Sequence, residues 1–224
     1  MTSATSRTFR NLQVRFSVRL NYVLFPIDGF ELSELLSKSG YIRAPMPSRP
    51  TQHRVTLGFT GPIAQKGGNL IDGDSSRGIF GVTGPSFSSV ASTFDELITL
   101  IKNEVKIDIK EGVGFYEIIA TLDLESVNNP LQKIAQIFEN TEFINKAKSI
   151  LNEDVSVFSF KFAKKGKIPN QEEWFDITIE PDLIKPLTTY KISIVYRSAE
   201  EITVRKFGEA LESNISKLID EIEK

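Results

Sequence analysis

The side chains that most often carry catalytic chemistry are scarce in this sequence. Its 224 residues include no cysteine and a single histidine, His53. Thiol catalysis, a disulfide framework and a cysteine-ligated zinc site are therefore excluded, and a serine–histidine–aspartate triad would have to use His53. Arg54 stands beside His53 at the end of a predicted strand, and no acidic partner is fixed by the sequence. This inventory favours a non-enzymatic protein without a cofactor or metal.

Carboxylates on the predicted second half of the chain are the other candidates for catalysis. A pair at a suitable separation can hydrolyse a glycosidic bond by acid–base chemistry. Solvated charges on a sheet face explain the same residues with fewer assumptions, and we prefer that interpretation. The four residues are Glu117, Asp123, Asp176 and Glu180.

A glycine-rich stretch at residues 58–85, GFTGPIAQKGGNLIDGDSSRGIFGVTGP, invites comparison with phosphate and metal loops. Lys66 precedes its glycines, and no serine or threonine follows them as in a P-loop. Asp72 and Asp74 stand at odd positions of a possible calcium loop, but Arg77 replaces the turn glycine and no glutamate closes the loop. The stretch instead predicts a long, mobile hairpin region in which the Asp-Gly dipeptide at 72–73 is a turn. If this loop is functional, we expect those four charged residues to act as it closes over one end of a sheet.

Charge is distributed unevenly along the chain, although the formal net charge is only −2. Residues 1–104 carry 11 Lys/Arg against 8 Asp/Glu, and residues 105–224 carry 16 against 21. Such polarity can steer a partner, and an acidic second half favours protein over nucleic acid. No apolar run approaches the ~18 residues of a membrane span, and the N-terminus lacks an apolar leader. We expect a cytoplasmic protein without a membrane partner.

Hydrophobic periodicity predicts strands and helices in a regular order. Alternation of apolar and polar residues indicates half-buried strands, and apolar stripes with capping residues indicate amphipathic helices. Predicted strands cover residues 14–25, 53–59, 69–71, 78–82, 114–126, 154–163, 172–180 and 190–197. Predicted helices cover residues 28–40, 93–105, 128–152 (one helix or two) and a long final segment, 198–224.

This order predicts an α+β fold that repeats a β-α-β-β-β-α pattern twice. Residues 1–10 are a polar tail, 11–107 the first half and 112–224 the second, both halves forming one continuous domain. Alternating strands are typical of an antiparallel sheet with one wet and one covered face, so we expect a two-layer α/β sandwich. A non-duplicated α+β sheet with the same elements is the alternative.

In topology, two such units resemble the TATA-binding-protein-like saddle, and they are similar to duplicated effector-binding domains of transcription regulators. The resemblance implies a broad sheet whose exposed face is concave. It does not imply DNA binding, because the predicted face is of mixed charge and lacks the apolar wedges that minor-groove binding needs.

Two groups of residues are candidates for contacts on the exposed face. Trp174, the only tryptophan, is predicted to be an exposed aromatic contact. Cations form the second group, and the lysines around 161–167 suit phosphate or an exposed hairpin tip. The cationic candidates are Arg15, Arg19, Arg54, Lys161, Lys191 and Arg197.

Two functions remain open from the sequence. The first is a binding or regulatory protein that holds a macromolecule, preferably a protein, on a concave polar sheet face. The alternative is a small-molecule effector-binding domain with a pocket between the sheet halves near Trp174, Tyr190 and Tyr196. The final amphipathic helix covers the sheet of its own chain or pairs with a second copy in a homodimer.

Overall fold

A single antiparallel sheet organises the fold. The structure, a computed structural model, describes residues 7–22, 27, 29–45 and 59–224. Nine strands pair in the order β2-β3-β4-β5-β1-β6-β9-β8-β7. They are β1 (Phe9–Leu20), β2 (Ile42–Arg43), β3 (Thr60–Lys66), β4 (Asn69–Asp74), β5 (Ile79–Gly84), β6 (Val113–Glu125), β7 (Phe160–Ala163), β8 (Trp174–Pro181) and β9 (Thr189–Ser198).

Six α-helices occur among the described residues. They are α1 (Gly29–Lys38), α2 (Phe87–Leu100), α3 (Pro130–Phe138), α4 (Glu142–Leu151), α5 (Glu201–Glu209) and α6 (Leu211–Ile222). A π-helical turn, Ile101–Val105, and a 3₁₀ turn, Ile109–Gly112, join α2 to β6. The expectation of an α+β fold with an antiparallel sheet is confirmed.

The two longest strands, β1 and β6, lie side by side at the centre of the sheet. Their register pairs Phe16 with Ile118 and Val18 with Tyr116. On one side of this pair the order is β5, β4, β3, and on the other it is β9, β8, β7. Strands that are adjacent in sequence thus form the outer parts of the sheet. The strands β1 and β6, which begin the two predicted halves, meet in the middle.

Helices contact the sheet through the face that carries the alternating apolar residues. Phe94 of α2 lies 4.6 Å from Phe16 of β1 between ring centroids, and Phe207 of α5 stacks on Tyr196 of β9 at 4.0 Å. Phe138 of α3 lies 5.9 Å from Phe160 of β7. We call this side of the sheet the helix face and the other side the open face.

Several elements differ from the sequence prediction in extent. Helix α2 begins at Phe87, with the Ser86 side chain accepting a hydrogen bond from the Ser89 N–H, so the predicted start at Thr93 is wrong. The serine-rich sequence before Thr93 suits a turn as well as a first helical turn, since serine prefers caps and turns. The final segment is two helices rather than one, since α5 ends at Glu209 and α6 begins at Leu211.

The glycine-rich stretch forms a meander of β3, β4 and β5 rather than a long loop. Gly67 and Gly68, both at positive φ, make the β3–β4 turn. Asp72 and Gly73 lie inside β4, so the turn predicted there is wrong. Strand β3 was missed because its glycines and proline oppose the usual strand composition. The predicted strand at 53–59 lies outside the described residues except for Phe59.

The predicted polar tail, residues 1–10, overlaps the first strand of the structure. β1 begins at Phe9, and Arg7 forms ion pairs of 2.6 Å with both Asp220 and Glu223 of the C-terminal segment. The beginning of the described chain is therefore attached to α6.

Candidate functional site

The open face is the broadest candidate site, because the described helices pack on the opposite side. Paired residues in neighbouring strands share a face, and the register therefore identifies its side chains. β1 contributes Arg15, β6 contributes Glu117 and Ile119, and β9 contributes Lys191 and Arg197. Arg54, a sequence candidate, and His53 lie outside the described residues.

Arg15 is held by a carboxylate from two strands away. Its Nε and Nη2 donate to Asp72 Oδ1 at 3.0 and 2.6 Å, and Thr83 Oγ1 donates to Asp72 Oδ2 at 3.1 Å. Both charged side chains are about four-fifths buried. Arg15 is thus part of the sheet's internal structure rather than a free cation.

Gly81 of β5 lies between these partners, opposite both Ser17 of β1 and Asp72 of β4. A Cβ at this position would approach the Phe16 carbonyl oxygen and the Ser17 Cβ to 2.6 Å. Strand β1 therefore lies so close to β5 at this position that only a residue without a side chain fits.

Replacing Gly81 with alanine is expected to lower the free energy of unfolding by about 1–3 kcal/mol, because the added methyl has only backbone and a short side chain to displace. Urea denaturation followed by circular dichroism measures the change. Ser193→Ala, a substitution on the same face of β9, serves as the control. Equal stability of Gly81→Ala and the wild type would show that the sheet opens here at no cost.

Arg197 and Glu117 form the most buried ion pair of the open face. Arg197 Nε and Nη2 donate to Glu117 Oε2 at 2.9 and 2.5 Å, and Nη1 donates to the carbonyls of Pro169 and Gln171 at 2.8 and 3.0 Å. The Glu117 residue is only 5% exposed. The segment between β7 and β8 is thereby fastened over one end of the open face.

An aromatic ring lies beneath two arginines at this same end. The Arg197 guanidinium carbon is 4.3 Å from the Phe115 ring centroid, and that of Arg19 is 5.6 Å away. Both contacts are in the range of cation–π attraction. Phe115 was not singled out in the sequence, although its parity with Glu117 in a predicted strand assigns it to the open face.

Trp174 is not the exposed aromatic that the sequence suggested. The residue is 8% exposed, and its Nε1 donates to Asp176 Oδ2 at 2.9 Å. Lys161 Nζ lies 3.1 Å from Asp176 Oδ1. Period-two alternation placed Trp174 on the correct face, but it carries no information on how far the folded chain buries the ring.

The remaining cations of the open face are exposed. Arg19 has no ion pair among the described residues. Lys191 is paired in the sheet with Asp123 on one side and Glu180 on the other, but it also forms no ion pair with a described residue. Ile119, in the middle of β6, is 38% exposed between these two ends of the face. Its cross-strand neighbour on β9 is the half-buried Val195.

Charged residues of the glycine-rich stretch are dispersed rather than gathered into one loop. Lys66 lies 2.7 Å from Glu96 of α2 and 4.7 Å from the Tyr41 ring centroid, on the helix side. Asp74 ends β4, where the Ser76 hydroxyl and the Arg77 N–H hold the pKa of its carboxyl below the ordinary value. The exposed Arg77 lies in the β4–β5 turn. Asp72, the fourth charged residue, binds Arg15 on the open face. The four residues therefore do not form one site.

Two cavities bear on the small-ligand hypothesis. One of about 190 Å³ adjoins the open face and is lined by Trp174, Tyr196 and Arg197 among others. Tyr190 does not line it, since its side chain is fully buried on the helix face. The other, of about 350 Å³, lies in the helix layer between α2 and α5 and reaches Tyr116 of β6 and Glu201.

Charges around the larger cavity are satisfied within the chain. Glu201 contacts Arg205 at 2.6 Å and Lys110 at 3.5 Å. Burial opposes ionisation of Glu201, but the Arg205 guanidinium outweighs it and lowers the pKa of that carboxyl. Burial and the neighbouring Glu201 raise the pKa of the Tyr116 hydroxyl, which stays neutral at physiological pH. The described residues contain no group of three or more acidic or histidine side chains placed to hold a metal ion.

Fold and face together define an α+β protein with a single antiparallel sheet covered by helices on one side. No protein-family model, curated protein or solved structure matches the chain significantly. Among the described residues, every helix is too short or too polar to cross a bilayer.

Proposed function

We propose that this chain is a non-enzymatic binding protein that holds another protein on the open face of its sheet. The observation that supports this proposal is an exposed face on which none of the described helices packs, with an apolar centre and charged ends. Protein interfaces combine a desolvated apolar core with a polar rim in the same way. Ile119 and Val195 form the centre, and Arg19 and Lys191 form the two ends.

The dimensions of this surface suit a protein partner. Arg19 pairs with Phe115 of β6, and Lys191 pairs with Asp123 of the same strand. Eight residues of extended chain separate those positions, or about 27 Å at ~3.4 Å per residue. Contacts over that distance are compatible with an interface of standard size, which buries about 800 Å² on each partner.

Electrostatics favours protein over nucleic acid as the partner. Glu117, Asp123 and Asp176 share the face with the cations, and both Arg15 and Arg197 are neutralised by carboxylates of the chain itself. A nucleic-acid surface needs a net basic stripe to displace counterions from phosphate. The alternating signs suit a partner that presents its own acids and bases.

We further propose that the two halves are pseudo-repeats in a TATA-binding-protein-like saddle that works in the cytoplasm. The mirrored strand order about the β1–β6 pair supports the repeat. In this arrangement β5 corresponds to β9, β4 to β8 and β3 to β7. The open face is the concave side of such a saddle.

A photo-crosslinking residue at position 119 tests the binding face. Expressed in the native cell, the chain with this substitution should crosslink to a discrete protein, because residue 119 lies at the centre of the proposed interface. The charge reversals Arg19→Glu and Lys191→Glu together should reduce that crosslink about tenfold or more, since rim charges steer and orient association. Mass spectrometry of the crosslinked species provides the measurement.

Position 202 is the matched control, because Ile202 is also an exposed isoleucine but lies on α5 in the helix layer. Arg15 is left unchanged, since reversing it would place two carboxylates together at Asp72 and disturb the fold. Equal crosslinking from positions 119 and 202, or a product that is nucleic acid, would refute the proposal.

A small-molecule effector is the second candidate function, favoured by the cavity beside Trp174. A ligand entering it would meet the tryptophan and should change its fluorescence. Titration with a metabolite panel should then give saturable changes that Tyr196→Ala weakens. A panel without any response would count against this candidate and leave the protein-binding proposal untouched.

A further inference from the structure

The two ends of the sheet differ in whether a further strand pairs with the third strand out from the centre. β3 and β7 occupy equivalent places, each the third strand out from the central β1–β6 pair. The outer edge of β3 is covered by β2, which pairs Ile42 with Gln65 and Arg43 with Ala64. Within the described residues, no strand covers the outer edge of β7. On the β3 side, an extended segment pairs with the edge, and the same kind of segment could pair with the outer edge of β7.

The backbone groups that β7 presents outward follow from its pairing with β8. The Lys164 N–H donates to the Phe175 carbonyl at 3.1 Å. Antiparallel pairs alternate in this respect, so Phe160 and Phe162 also direct their amides to β8. Lys161 and Ala163 consequently turn their N–H and C=O groups away from the sheet. Two donors and two acceptors are available along this edge.

Side chains at the edge are apolar on one face and basic on the other. Phe162 packs on Phe160 at 5.2 Å between ring centroids and is still 43% exposed, and the preceding Phe158 is 41% exposed. Lys161 lies on the open face. Residues 155–171 contain four lysines and no acidic residue. Exposed edges of this kind are sites of strand addition unless they are blocked.

We propose that the outer edge of β7 is a second binding site, which takes an extended segment of a partner protein with alternating apolar and acidic side chains. The segment adds a tenth strand to the sheet through the outward groups of Lys161 and Ala163. Its apolar side chains contact Phe162 on the helix face and the exposed Phe158 that precedes the strand. Its carboxylates face Lys161 and the lysines that follow, of which Lys165 has no ion pair among the described residues.

Charge argues against a second copy of this chain as the occupant. In an antiparallel register centred on Ala163, Lys161 of each copy lies opposite Lys165 of the other. In the register centred on Lys161, the two Lys161 residues face each other. In the register centred on Phe162, Lys161 lies opposite Ala163. Lys165 then lies opposite Ser159, so none of these registers places a carboxylate opposite a lysine. Like charges directly opposite one another destabilise a strand pair, whereas a lysine–carboxylate pair stabilises it.

A synthetic peptide of about ten alternating valine and glutamate residues tests the site, since strands of this length are typical of sheets. Titrated into the ¹⁵N-labelled protein, it should shift the amide signals of residues 160–165 and protect the amides of Lys161 and Ala163 from exchange. Ala163→Pro should weaken binding about tenfold or more, because proline removes an outward N–H and not one that β8 uses. Ala163→Ser, the control, should change the affinity less than about twofold, because it keeps that N–H.

Lys165→Glu provides an independent variant that keeps the backbone intact and should weaken the peptide severalfold. A valine–lysine peptide that binds equally well, or Ala163→Pro that binds like wild type with its β7–β8 amides unchanged, would overturn the proposal. So would concentration-dependent shifts of the same amides without peptide, which would make a second copy the occupant. The Arg19→Glu and Lys191→Glu variant should bind the peptide normally, so the two binding proposals can fail separately.

Discussion

Replacing Phe16 with alanine is expected to lower the free energy of unfolding by about 3–5 kcal/mol, the usual cost of removing a fully buried phenylalanine. Its ring is completely buried in the central strand. Ring centroids of Phe94 and Phe87 from α2 lie 4.6 and 5.8 Å away, and that of Tyr116 from β6 lies 6.1 Å away. Loss of the ring opens a cavity where β1, β6 and the helix layer meet.

The same substitution at Phe143 is the control for this prediction. Phe143 lies on α4 and is 76% exposed, so Phe143→Ala should change the stability by less than about 0.5 kcal/mol. Urea unfolding monitored by circular dichroism gives both values. A small effect at Phe16 would mean that the helix layer collapses into the space or that the ring is not at the junction.

Replacing Arg197 with methionine is expected to cost about 2–4 kcal/mol, because it leaves the buried Glu117 carboxylate without its partner. Removing one member of a buried pair typically costs about 3–5 kcal/mol, and the partial exposure of Arg197 reduces that figure. The substitution also releases the carbonyls of Pro169 and Gln171. We therefore expect faster hydrogen exchange in the β7–β8 segment as well as lower global stability.

Two further variants make this prediction specific. Arg10→Met breaks the exposed pair with Glu125 and should cost no more than about 1 kcal/mol, as surface pairs do. Adding Glu117→Gln to Arg197→Met should recover much of the lost stability, since the carboxylate is then neutral. Chemical denaturation of the wild type, the single variants Arg197→Met and Glu117→Gln, and the double variant measures the coupling between the two positions. A double variant as unstable as Arg197→Met alone would contradict the role assigned to the charge.

Local sequence patterns anticipated the strands that carry the strongest alternation. Both Phe16 and Ile118 were assigned correctly to the covered face, because period two determines the face of a half-buried strand without knowledge of its neighbours. The same patterns missed β3 and the first turns of α2. In both segments the residue types favour turns, and contacts with other parts of the chain stabilise the regular structure. β3 pairs with β4, and Ser89 of α2 accepts a hydrogen bond from Asn69 of β4 at 2.7 Å.

The sequence predicted which face of the sheet carries the candidate residues. It did not predict which of their side chains are exposed and without an ion pair. The sequence correctly predicted four cations on the open side, namely Arg15, Arg19, Lys191 and Arg197. Its prediction that Trp174 is exposed was wrong. Whether a cation on that side is free depends on the carboxylate opposite it. Sequence distance carries no such information, because Arg15 and Asp72 are 57 residues apart and Glu117 and Arg197 are 80 apart.

Composition and periodicity alone determined that the chain is an α+β protein with one apolar face on each strand and no thiol chemistry. Only the tertiary structure decided which charged side chains form ion pairs within the molecule, and which edge of the sheet has no further strand among the described residues. The physical reason is that burial depends on strand order. Placing β9 beside β6 joins Glu117 to Arg197. In the same sheet Trp174 is buried, Arg19 and Ile119 are exposed, and no other strand of the described residues pairs with the outer edge of β7.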